Sequence, residues 1–81
     1  MNTYEAKNIV ALLTSAYHLK FTDNQYVQWI IMLENFGEYR VTNERLQKYI
    51  LTGNTEAPTM AFLIGKNVLE DLLNVEKQLF R

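Results

Sequence analysis

Four successive stretches of the chain repeat apolar residues at three- and four-residue spacing. None alternates apolar with polar at the period of two that a half-buried strand needs. Such a chain is restricted to helices that bury a stripe against one another. The first stretch begins at Asn2, whose side chain is placed to accept an orphan helix N–H, and Glu5 is placed to reach back and complete a capping box. Ala6, Ile9, Val10, Leu13, Ala16 and Tyr17 then form one apolar face. Thr22 and Gln25 repeat the cap, and Tyr26, Trp29, Ile30, Leu33 and Phe36 make the second stripe, with Trp29 at the centre of the core. Gly37 is the expected left-handed stop, because glycine takes that conformation without a Cβ penalty. A third stripe holds Tyr39, Leu46, Tyr49 and Ile50, with Val41 at its margin; the β-branched pair Val41-Thr42 makes it the weakest of the four.

The fourth stretch follows a break at 52–57 and opens on Pro58 and a Thr59 cap. Its pattern runs on to Arg81, although Gly65 within it costs about 1 kcal/mol relative to alanine. On an ideal helix its apolar residues sort into two seams, roughly 120° apart at 100° per residue. Ala61, Ile64, Val68, Leu72, Val75 and Leu79 make the first; Phe62, Leu69, Leu73 and Phe80 make the second. The plainer reading is one broad face buried in a bundle. The sharper one closes the core with the first seam and offers Phe62, Leu69, Leu73 and Phe80 to a partner. The expected fold is therefore all-α: a single domain over 1–81, a small four-helix bundle of three short helices plus a longer C-terminal amphipathic helix. The expected spans are about 3–17, 23–36, 38–51 and 59–80.

Composition narrows the function. With 81 residues and 48% of them apolar, the chain can bury one modest core, and the lack of cysteine removes disulfides and thiolate metal sites. The net charge of −1 leaves no basic stripe for duplex DNA; Arg40, Arg45 and Lys48 are diluted by Glu38 and Glu44. No apolar run approaches the roughly 20 residues of a membrane span, and the first residues lack the layout of a secretory signal, so the cytoplasm is the expected address. His18 is the only histidine, which leaves any catalytic triad or two-histidine metal site incomplete. Glu70 and Asp71 are adjacent and diverge by about 100° on a helix, and Gly65-Lys66 lacks the glycines and preceding strand of a phosphate loop. Neither an enzyme nor a cofactor or metal site is expected. Tyr17, Tyr26, Trp29, Phe36, Tyr39 and Tyr49 fall at inward spacing, which favours core packing over base stacking.

Several features, in order, resemble the phage-encoded loader and inhibitor of the replicative helicase from Gram-positive phages, in its small N-terminal helical domain. They are Glu5-Ala6 with Ile9, Ala16-Tyr17 before the first break, and Phe21-Thr22 leading to Val27, Trp29 and Leu33. Tyr49-Ile50 then ends the third helix, and Pro58-Thr59-Met60-Ala61 with Ile64 looks like the family's turn into its last helix. The likeness covers about residues 1–65. It implies a non-enzymatic phage replication factor that binds a hexameric replicative helicase, keeps it inactive in solution and aids its delivery to the origin. Two features depart from the family: His18 stands where a proline is usual, and an amphipathic stretch stands at the end in place of the polar C-terminal extension implicated in gripping the helicase, so the sequence is expected to be either a domain without that tail or a compact relative using its last helix.

Other readings stay open on the same residues. A phage-type inhibitor of another host protein, such as a defence nuclease or a transcription factor, suits the small size equally. The four-three-four spacing of Val68, Leu72, Val75 and Leu79 is heptad-like and admits a homodimer through the last helix. A helix-turn-helix is opposed by the balanced charge. The partner expected is a protein, a replicative helicase or its loader, with no direct nucleic-acid contact and no membrane.

Overall fold

The computed structural model describes residues 1–65. Helix α1, Thr3–Tyr17, opens on a complete capping box: Asn2 Oδ1 accepts the Glu5 N–H at 2.8 Å, and Glu5 Oε1 accepts the Asn2 N–H at 3.0 Å. Helix α2, Asp23–Phe36, starts in the same way, with Thr22 Oγ1 accepting from Gln25 at 3.2 Å and Gln25 Oε1 accepting from Thr22 at 3.0 Å. Helix α3, Tyr39–Leu51, follows after two residues, and Glu38 before it supplies no side-chain cap. Helix α4 is short, Met60–Ile64, and Thr59 Oγ1 caps it by accepting the Phe62 N–H at 3.2 Å. Among the described residues every regular element is a helix, and none is long and apolar enough to cross a membrane.

α1 packs against both α2 and α3, while α4 packs on α3 and α2. The buried set is aliphatic: Ala6, Ile9, Val10 and Leu13 from α1, Ile30 and Leu33 from α2, Leu46 from α3, and Leu63 and Ile64 from α4. Trp29 is therefore not the centre of the core. It is half-buried at the rim, stacked on Phe21 with ring centroids 5.4 Å apart. Tyr26 and Phe36 are exposed on the outer side of α2, and Ala16 on that of α1. The reason lies in the width of the stripe. α2 meets α1 through Ile30 and Leu33, and the bulkier aromatics one turn away are left at the edge of that contact. Thr42, by contrast, is fully buried, and its hydroxyl has no hydrogen-bond partner among the described residues. The interior position of α3 thus falls on the weakest part of its sequence pattern, while Val41 turns outward.

The turns also exchange roles. The left-handed residue closing α1 is His18, at φ 52°, although histidine carries a Cβ. Gly37 is extended, at φ −96°, where the sequence led us to expect a left-handed stop. Glycine is needed there for room: a Cβ would stand 2.6 Å from Met1 Cε and 2.8 Å from the Leu33 carbonyl oxygen. The Met1 ammonium fills the same corner, donating to the carbonyls of Gly37 at 2.8 Å and Glu34 at 3.3 Å, where the negative end of the α2 dipole favours a cation.

The largest difference concerns the last helix. Gly65 is left-handed, at φ 73°, and its N–H donates to the Ala61 carbonyl at 3.2 Å, so α4 stops at Ile64 where an uninterrupted helix over 59–80 was expected. Glycine is tolerated in a helix interior but favoured as its stop, and here the second property prevails. The inward face of α4 is Leu63 and Ile64; Ala61, assigned by spacing to the core-closing seam, is exposed. The remainder of the expected helix, with Leu69, Leu73 and Phe80, lies outside the described residues.

Candidate functional site

Arg45, Lys48 and Tyr49 occupy positions i, i+3 and i+4 of α3 and so share one face. Phe62 of α4 stands opposite them. Its ring lies 5.2 Å from that of Tyr49 at an interplanar angle of 57°, and the Arg45 guanidinium carbon sits 5.8 Å from the Phe62 centroid. With Thr52 and Asn54 these residues line an open cleft of about 510 Å³. Its floor is aromatic and its charged groups are both cationic.

The segment between α3 and α4 is tied to Tyr49, which holds the cleft in shape. The Tyr49 hydroxyl donates to the Glu56 carbonyl at 2.7 Å. The Tyr49 carbonyl in turn accepts from Asn54 Nδ2 at 2.8 Å and from Thr52 Oγ1 at 3.0 Å. Asn54 Nδ2 also reaches Thr52 Oγ1 at 2.8 Å, and Gly53 supplies the left-handed turn, at φ 81°, that brings the two side chains round. Pro58 is buried beneath the segment.

Arg45 is held from the far side. Its Nη1 donates to the Phe62 carbonyl at 3.4 Å, and its guanidinium lies against Gly65, where a Cβ would come within 3.0 Å of Nε. Behind the cleft, Tyr17 packs on Tyr49 with centroids 6.1 Å apart. The Tyr17 hydroxyl has no partner among the described residues; burial pushes its pKa above the ordinary 10.0, and the neighbouring Tyr49 adds to the rise.

Of the expected contact residues, the structure describes Phe62, which is 41% exposed. It joins Phe62 to Arg45, Lys48 and Tyr49, a grouping the sequence reading missed. In sequence, Arg45 and Lys48 are a scatter of charge diluted by Glu38 and Glu44, and Tyr49 falls at inward spacing. The signal that would have found them is the i, i+3, i+4 spacing of two cations and a tyrosine on one helix. His18 is exposed at the end of α1 and lines none of this. Among the described residues no three His, Cys, Asp or Glu side chains are grouped to hold a metal ion. The chemistry this arrangement supports is recognition: two cations to pair with anions, and ring edges and faces to bury an apolar group. Comparison with protein-family models, curated proteins and solved structures found no match to this chain.

Proposed function

We propose that the chain is a non-enzymatic accessory protein of phage DNA replication that binds the replicative helicase, restraining it and aiding its loading, with Phe62 in the contact surface. The observation that carries the binding role is Phe62 itself. A large aromatic is held half-exposed over a cation-lined cleft, while the residues beside it in the chain, Leu63 and Ile64, are buried. Aromatic rings and arginine are enriched where proteins meet, and Phe62 stands with a second ring and Arg45 in one cleft. The helicase as partner, and the bacterial cytoplasm as address, rest on the ordered resemblance of residues 1–65.

The same reading assigns Leu69, Leu73 and Phe80 to the contact surface alongside Phe62. The test is capture of protein from a Firmicute lysate by the intact chain, by Phe62→Ala and by the Leu69→Asp, Leu73→Asp double variant. Retention of the replicative helicase or its loader by the intact chain, and its loss from the variants, is the expected result. No association with purified helicase at concentrations of tens of micromolar, a range typical of weak specific complexes, would remove the helicase from the proposal. Capture of a defence nuclease or a transcription factor instead would establish the host-inhibitor reading.

A further inference from the structure

Besides the core and a cleft of about 450 Å³ where Arg45 stands with Glu34 and Glu38, the surface of the described residues carries three apolar or mixed features that bear on contact. One is the α2 face bearing Val27 and Ile31, half-exposed and one turn apart. Another is the hollow beside Leu12, Ile50 and the 83% exposed Leu51. Neither has charged side chains lining a cleft that would define what covers it. The third, the Arg45–Phe62 cleft, does.

We infer that this cleft takes an acidic segment of a partner protein, with an apolar side chain seated in the cleft against the paired Tyr49 and Phe62 rings and flanking carboxylates on Arg45 and Lys48. The inference rests on the reading that Phe62 belongs to a protein-contact surface, and it names the chemistry of that contact. Charge is the first argument. The chain as a whole is slightly acidic, yet both charged side chains lining the cleft are basic. Neither makes an ion pair among the described residues, where the one salt bridge joins Arg40 to Glu44 on the neighbouring turns of α3. Preorganisation is the second. The Phe62 carbonyl and the contact with Gly65 restrain the Arg45 guanidinium, so its charge is held at the cleft with part of its side-chain entropy already lost.

Ring geometry separates this occupant from single-stranded nucleic acid. Successive bases stack on parallel exposed faces along a basic groove. Here the two rings are inclined at 57° and packed on each other, and the Tyr49 hydroxyl is committed to Glu56, so they offer no pair of parallel faces for successive bases.

The experiment is an amide-shift titration of the full chain with three probes. The first is the end-blocked peptide Glu-Asp-Leu-Phe-Asp-Glu, the second its amide counterpart Gln-Asn-Leu-Phe-Asn-Gln, and the third a thymidine oligonucleotide. Millimolar binding of the acidic peptide is expected, with shifts centred on Arg45, Lys48, Tyr49 and Phe62, and weakening about tenfold for the amide peptide as two charge-assisted contacts become neutral. Lys48→Gln, on an exposed side chain, removes one of the two contacts and should weaken binding about threefold without altering the helical circular dichroism. Arg45→Gln should do the same, and a melting curve will separate any loss of its packing on Gly65. Equal binding of the two peptides, binding of the oligonucleotide alone, or no shifts in the cleft at millimolar acidic peptide would each overturn the inference. Helicase capture without peptide binding would remove the cleft chemistry and leave the replication role; peptide binding without helicase capture would do the reverse.

Discussion

The two halves of the described molecule are built on different terms. α1 and α2 each begin with a complete capping box, and they supply six of the nine buried apolar residues. α3 begins at Glu38 with no side-chain cap, buries Leu46 and an unpartnered Thr42, and spends its other face on Arg45, Lys48 and Tyr49. α4 is a short helix held by Thr59 at one end and Gly65 at the other. The first half supplies most of the buried apolar residues, while in the second one face of α3 displays two cations and a tyrosine against Phe62. A small domain has few residues to spare, so where it departs from good packing is informative about where it meets other molecules.

That contrast can be broken most forcefully in the core. Leu13→Ala removes a fully buried side chain from the helix that touches both neighbours and should cost about 2–5 kcal/mol. Phe62→Ala should cost well under half as much, its ring being partly in solvent. Equal losses in urea denaturation would show that the second half is as structural as the first. Gly65→Ala comes next. It puts a Cβ on a left-handed residue and against Arg45, so a loss of about 1–2 kcal/mol is expected, with altered amide shifts at Arg45 and Phe62.

Thr42→Val has the opposite sign. It keeps the branched shape and removes a buried hydroxyl without a partner, so a gain of about 1 kcal/mol in the midpoint-derived stability is expected. A loss would mean that the hydroxyl is satisfied in solution.

The smallest effect concerns Tyr17. Its folded pKa lies above the unfolded 10.0, so the folded state holds the proton more tightly. The associated stability is fully present below pH 10 and declines as the pH rises through the folded value. Tyr17→Phe should flatten that alkaline decline and leave stability near neutrality almost unchanged. An identical decline in both proteins would place its origin elsewhere.

Local chemistry carried the sequence reading a long way in the first half. Asn2 with Glu5, and Thr22 with Gln25, announce helix starts because a cap depends on residues three apart, and both boxes are present. The aliphatic stripes of α1 were legible for the same reason. Burial depth was not. Periodicity shows which residues share a face, but it does not show where along that face a neighbouring helix makes contact. Trp29, Tyr26 and Phe36 therefore read as interior, whereas the contact passes through Ile30 and Leu33. Leu63, fully buried, belonged to neither expected seam.

The candidate site divides in the same way. Phe62 was legible as an apolar residue off the main seam of its helix. Its companions were not, because Arg45, Lys48 and Tyr49 lie on another helix, and only the turn through Gly53 and Asn54 brings the two together. The glycines show the limit most sharply. Each advertises conformational freedom or the absence of a side chain, and the sequence does not say which is in use. Gly37 serves for clearance against Met1 and Leu33, and Gly65 for a left-handed stop against Arg45. What the sequence by itself determined was the helical class, the absence of strand periodicity and the two capping boxes, since these follow from interactions within three or four residues. Tertiary structure alone decided which side chains are interior and that two cations and two rings meet in one cleft. Each of those depends on atoms distant in the chain competing for the same space.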